Sequence, residues 1–162
     1  EVIKSGLARA IILNSGGANC YTGPQGFQTT HATAERVGEL IGAEAAEILV
    51  CSTGLIGEQL DRGKLLSGVE EAFSTLDADS GASAAEAIMT TDTVPKLATR
   101  QGSGYRLGGM AKGAGMLAPA LATMLVVITT DADLEPQELD AAPPNRCQTS
   151  RCRRRCPGFL IL

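Results

Sequence analysis

Residues 8–19 read Ala8-Arg-Ala-Ile-Ile-Leu-Asn-Ser-Gly-Gly-Ala-Asn19. The first half is a short apolar run with β-branched residues, and Asn14-Ser15-Gly16-Gly17 stops it. This predicts a buried strand that runs into a polar, glycine-rich turn. Four glycines, a proline and two asparagines fall between Asn14 and Gly26. A simple connection needs less turn chemistry, so the segment reads as a ligand-facing loop.

Outward from this stretch, strands and helices alternate. Ala32, Val37, Leu40 and Ile41 recur near helical spacing, which predicts a helix over 29–41 with Thr29 or Thr30 as cap and Gly42 as stop. Glu47-Ile-Leu-Val-Cys-Ser52 reads as a second buried strand ending at Thr53-Gly54. Residues 61–73, capped by Asp61, place Leu65, Leu66, Val69 and Phe73 on one face of a second helix. An Ala-rich third helix over 81–89 ends at Thr90-Thr-Asp-Thr93, with Pro95 just beyond. Strands are expected at 105–111 and 123–129. The alternation defines an α/β domain.

Composition narrows the functional classes. Forty-four per cent hydrophobic and 20% charged residues are those of a globular protein, and 162 residues fit one domain. There is no Trp and there are only two Tyr and three Phe, so the core must be built from Ala, Leu, Ile, Val and Met. All 18 acids lie within residues 1–140 beside nine of the bases, and the five arginines of residues 141–162 stand without an acid. An acidic body argues against a nucleic-acid surface, which needs clustered cations. The apolar run 116–128 contains Pro119 and falls short of the roughly 20 residues that span a bilayer, so no membrane segment is expected. The N-terminus has no signal-peptide pattern and no initiator Met, and is read as lying inside a longer protein.

Cys20 and Cys51 sit in apolar surroundings with no disulfide spacing, as expected of buried free thiols in a reducing cytoplasm. Cys147, Cys152 and Cys156 lie in the tail, where a zinc site would lack its fourth ligand; no metal is expected. Residues 141–162 show no periodicity and are dominated by Pro, Arg and Cys. They read either as a disordered basic tail or as an out-of-frame translation of GC-rich DNA.

Four polar clusters follow apolar segments: Asn14-Ser-Gly-Gly-Ala-Asn19, Ser52-Thr-Gly54, Thr90-Thr-Asp-Thr93 and Lys112-Gly-Ala-Gly115. Singly each is an ordinary turn or cap; together they suggest one site, since small hydroxyls, amides and glycines allow close backbone approach and hydrogen bonding. The glycines around Lys112 do not form a phosphate loop, because Gly113 follows the lysine where Ser or Thr is needed. Lys112 would serve instead as a carboxylate anchor. His31, the single histidine, falls in the first turn of the predicted helix, where an exposed or capping role is expected.

A mechanism without histidine points to Ala122-Thr123. Breaking that bond leaves a threonine whose α-amine, with a reference pKa of about 8, is a base for its own hydroxyl. The competing reading makes Thr123 simply the first residue of a strand.

These motifs resemble ornithine acetyltransferase, also called glutamate N-acetyltransferase. Asn14-Ser-Gly-Gly-Ala-Asn19 followed by Thr22-Gly23 is similar to the family's Asn-Ser-Gly-Asn-Ala-Asn loop. Ser52-Thr-Gly-Leu-Ile-Gly57 is similar to its Ser-Thr-Gly-Val-Ile-Gly segment, and Ala87-Ile-Met-Thr-Thr-Asp-Thr93 and residues 108–131 resemble it almost word for word. The resemblance spans about residues 8–142. It implies an α/β fold of layered sheets flanked by helices and self-cleavage between Ala122 and Thr123. Thr123 would then attack N-acetylornithine and pass the acetyl group to glutamate in arginine biosynthesis. It further implies that Thr53 and Gly54 form the oxyanion hole, that Thr90 and Lys112 bind substrate with Thr123, and that no cofactor is needed beyond acetyl-CoA as an optional co-substrate. A cytoplasmic assembly of two α and two β chains is likewise implied.

Family members start upstream of Glu1 and carry a long β chain. Residues 1–140 are therefore expected to be a partial domain, with 1–122 on the α side and 123–140 opening the β side, inactive in transfer by itself. Two other classes stay open: an N-terminal-nucleophile aminopeptidase or amidohydrolase, and a non-enzymatic glycine-rich ligand-binding domain.

Overall fold

A computed structural model describes residues 6–114, 122–135 and 138. The tail and its cysteines, the proposed boundary at residue 140 and the segment 115–121 lie outside the described residues. Among those described, a two-stranded parallel sheet and a three-stranded antiparallel sheet combine with three α-helices, the mixed α/β class expected.

The parallel sheet pairs β1 (Ala10–Gly17) with β2 (Ile48–Leu55) from Ala10 opposite Ile48 to Gly16 opposite Gly54. The turn expected at Asn14 is thus the end of the strand. Asn14 to Gly17 stay in the ladder with Ser52 to Leu55, with φ +108° at Gly16 and a register irregularity at Gly17, because Gly16 and Gly54 let the two backbones close up. Gly54 has φ +130°, and a Cβ there would meet the Gly16 carbonyl carbon at 2.4 Å.

Helix α1 (Gly23–Ile41) crosses between these strands. It starts six residues before the predicted Thr29, since Pro24 needs no amide donor in a first turn and carries a suitable φ. The apolar period cannot reveal this turn, because Gln25, Phe27 and Gln28 are exposed. Gly26 is buried against Thr22 and Asn19, where a Cβ would lie 2.4 Å from Asn19 Oδ1. Gly42, with φ +69°, ends the helix as expected, its amide donating to the Gly38 carbonyl. His31 therefore lies mid-helix rather than in the first turn; it is exposed and meets Phe27 edge-on at 4.4 Å, with no capping role.

Helix α2 (Arg62–Ser74) begins at Asp61, whose carboxylate accepts from Lys64 N at 3.1 Å. Val69 is buried, yet Phe73, expected on the same apolar face, is 42% exposed. Arg36 of α1 joins the helices by pairing with Glu70 at 2.7 Å. Ala34, Val37, Ile48 and Val69 form the core, with Ile12, Leu40 and Val50 packed around it. As composition requires, this core is aliphatic and small; Tyr21, Phe27 and Tyr105 lie outside it.

Helix α3 (Gly81–Ala87) leads into the second sheet. Its strands are β3 (Lys96–Gln101), β4 (Arg106–Lys112) and β5 (Leu125–Thr130), paired in that order. β3 is absent from the sequence reading because all six of its residues are exposed, so no period-two apolar pattern marks it. Thr123 precedes β5 by two residues and is not the first residue of the strand. No helix among the described residues is long and apolar enough to cross a membrane.

Candidate active site

Both sheets contribute to one polar cluster. Thr53 lies near the end of β2, and its side chain is fully buried. Lys112 is the last residue of β4 and only 4% exposed. Because Lys112 stands opposite Leu125 in the β4–β5 register, the chain entering β5 brings Thr123 to the same corner.

Hydrogen bonds join these groups in a line. The Lys112 ammonium donates to Thr53 Oγ1 at 3.2 Å and to Thr90 Oγ1. Thr53 Oγ1 in turn shares a short hydrogen bond with Thr123 Oγ1. Lys112, Thr53 and Thr123 thus form a relay from a buried cation to a half-buried hydroxyl, next to the exposed Ala122. A cation behind a hydroxyl polarises it as a donor, which suits the stabilisation of negative charge on oxygen.

Gly54 follows Thr53 and is fixed by its close approach to Gly16. Ser52 Oγ donates to Asn14 Oδ1 at 2.7 Å, and Asn14 Nδ2 donates to the Gly17 carbonyl at 3.1 Å. Further out, Asn19 accepts from Thr22 Oγ1 at 2.6 Å and donates to Thr30 Oγ1 at 2.8 Å. Asn19 and Tyr21 both have positive φ, 44° and 60°, so this amide network braces a strained corner beside the site. All four polar clusters singled out in the sequence therefore meet or brace the same corner.

Asp92, quoted within the Thr90–Thr93 cluster but given no role of its own there, is the group whose part only the fold reveals. Its side chain is fully buried, with Oδ1 accepting from Gly113 N at 2.7 Å and from the Lys96 ammonium. Oδ2 lies 4.0 Å from Lys112 Nζ and has no hydrogen-bond partner among the described residues. Burial pushes the Asp92 carboxyl up, but Lys96 and the backbone donors of Gly113 and Thr90 outweigh it and hold the pKa down at about 2. A signal was present: Asp92 is the one acid between Glu86 and Asp131, a span with four basic residues.

Cys20 and Cys51 are free and half-buried rather than fully buried, and burial pushes the Cys51 thiol up. His31 stays outside the cluster.

A glycine-rich α/β corner thus holds two facing threonine hydroxyls and a buried lysine. The profile of the ArgJ family matches residues 1–151, and the chain belongs to that family. It is 61% identical over 142 residues to the arginine biosynthesis bifunctional protein ArgJ of Streptomyces coelicolor, covering 88% of this chain and 37% of that protein. ArgJ 1 of Streptomyces clavuligerus is 57% identical over 150 residues, with 93% and 39% covered. The chain thus spans well under half the length of these curated relatives. Among solved structures, ornithine acetyltransferase from Mycobacterium tuberculosis, complexed with ornithine, is similar with a TM-score of 0.65 and 45% identity over 76% of this chain and 67% of that one. The bifunctional protein from Bacillus halodurans gives a TM-score of 0.57 at 26% identity, covering 76% and 68%.

Proposed function

We propose that the protein carrying this segment transfers acetyl from N2-acetylornithine to glutamate in arginine biosynthesis, through an ester on Thr123 formed after cleavage between Ala122 and Thr123. The observation that carries the reading is the Lys112–Thr53–Thr123 relay. Membership of the ArgJ family and likeness to an ornithine acetyltransferase support it.

In self-cleavage the Thr123 hydroxyl adds to the Ala122 carbonyl carbon. The C–N bond breaks as nitrogen takes a proton, and water then hydrolyses the ester to leave the Ala122 carboxylate and a free Thr123. The new α-amine takes the hydroxyl proton as the oxygen attacks the acetyl carbonyl. Collapse of the tetrahedral intermediate releases ornithine with a proton on its amine, and the glutamate amine then attacks the ester to give N-acetylglutamate and Thr123. In each addition the Thr53 hydroxyl and Gly54 amide would donate to the oxyanion, worth a few kcal/mol of barrier per donor. Thr90 is exposed while Lys112 is buried behind it, so the substrate carboxylate would be met by the Thr90 hydroxyl with the Lys112 charge beneath.

Incubating the protein, at the length of its curated relatives, with N-acetylornithine and isotope-labelled glutamate tests this. Labelled N-acetylglutamate is expected. Acetate alone would make it an amidohydrolase, and adding acetyl-CoA as sole donor reads the second activity. Gel filtration after cleavage tests the assembly of two α and two β chains.

A further inference from the structure

The acetyl-transfer reading uses Thr53, Gly54, Thr90, Lys112 and Thr123 and leaves one buried ionised group without a task. Asp92 sits in the bend between α3 and β3, and its side chain has no solvent exposure. Four groups face it: Lys96 at the start of β3, Lys112 at the end of β4, the Gly113 amide just beyond and the Thr90 backbone donor on its own bend.

Burying a lysine ammonium is costly unless an opposite charge and hydrogen-bond acceptors compensate it. Two neutral hydroxyls, Thr53 and Thr90, accept from Lys112. The negative charge comes from Asp92, with Oδ2 at 4.0 Å. That separation is beyond a hydrogen bond but well within Coulomb range in a water-poor site. Oδ1 is engaged by the Gly113 amide and Lys96, and Oδ2 has no hydrogen-bond partner among the described residues. The carboxylate therefore attracts the ammonium without capturing it, and Lys112 spends its hydrogen bonds on the two threonines. A carboxylate in direct contact would draw the ammonium off Thr53.

We propose that Asp92 is a positioning residue of this site: its buried carboxylate, tied to the Gly113 amide and Lys96, holds the Lys112 ammonium on the Thr53 and Thr90 hydroxyls. It touches neither Thr123 nor the bond to be cleaved, and acts through Lys112. The catalytic consequence rests on the reading under Proposed function; the geometric one does not.

Asp92→Asn keeps an oxygen for the Gly113 amide and removes the charge. Its crystal structure is expected to show Lys112 Nζ displaced from Thr53 Oγ1 to beyond about 3.6 Å, outside hydrogen-bond range. Lys112 unmoved on Thr53 would overturn the proposal, whatever the reaction is. In the protein at the length of its curated relatives, the rates of self-cleavage and acetyl transfer are expected to fall about 10- to 100-fold with KM changed less than about threefold, the pattern of a lost transition-state interaction. Arg36→Met removes the ion pair with Glu70 that joins α1 to α2, away from the site, and should keep the rate within about threefold. Equal losses in the two variants, tracking their loss of thermal stability, would make Asp92 a structural tie only and overturn the proposal. Should Asp92→Asn not fold, Asp92→Glu gives the same readings: longer by one methylene, it is expected to reach Lys112 and pull it from Thr53. Cleavage persisting in Thr123→Ala would sink the acetyl-transfer reading and leave the Asp92 geometry to the crystal structure.

Discussion

The hydroxyls of Thr53 and Thr123, 70 residues apart in sequence, are hydrogen-bonded to each other. One stands on a parallel sheet and the other enters an antiparallel one, so the contact joins the two halves of the described fold. Since Thr53 also accepts from Lys112, any charge that develops beside Thr123 meets a hydroxyl already polarised by a cation.

Thr53→Val is nearly isosteric and removes that hydroxyl. Self-cleavage measured by gel densitometry is expected to slow by about 100-fold, the scale of a lost oxyanion donor. Thr53→Ser should keep most of the rate. Equal rates for Thr53→Val and wild type would remove Thr53 from the mechanism.

Gly54→Ala tests the backbone frame behind the hydroxyl. A Cβ there would lie 2.4 to 2.7 Å from Gly16 and Gly17 backbone atoms, at φ +130°. A loss of about 3 kcal/mol or more is expected in urea unfolding. Gly57→Ala has φ +88° and open space around its Cβ, so only the conformational cost of about 1 kcal/mol applies.

Asp92 ties stability to acid pH. Its native pKa of about 2 lies below the ordinary 3.8, so the native state binds protons less readily than the unfolded chain. The stabilisation is fully present above about pH 4 and is lost as pH falls through about 2. Thermal melts across this window should show wild type losing stability more steeply than Asp92→Asn. Parallel curves would contradict the depressed value.

Asp61→Ala should cost about 1 kcal/mol through the lost cap on Lys64 N, with cleavage unchanged. Its role is to separate fold stability from site chemistry in the same assays.

Much of this arrangement was legible in the sequence, for physical reasons that also mark the limits. Leu40, Val50 and Val69 announce α1, β2 and α2 because each element buries one face. Asp61 and Gly42 announce helix ends because capping is local. The first turn of α1 was invisible because it buries only Gly26, which has no apolar side chain, and β3 because it is exposed throughout. Likewise Asn14-Ser-Gly-Gly17 has turn composition but is kept in the ladder by its partner β2, a long-range fact. Thr53, Thr90, Lys112 and Thr123 stood out through their motifs, whereas Asp92 needed the fold, since only the β4 register carries Lys112 to within 4.0 Å of it.

The central claim is that Thr123 is a nucleophile released by its own attack. Intact-mass spectrometry of the protein at the length of its curated relatives, wild type beside Thr123→Ala, tests it most directly. Two wild-type fragments meeting at Ala122 and Thr123, with Thr123→Ala left whole, are expected. An uncleaved wild-type chain, or the same fragments from both proteins, would contradict the claim.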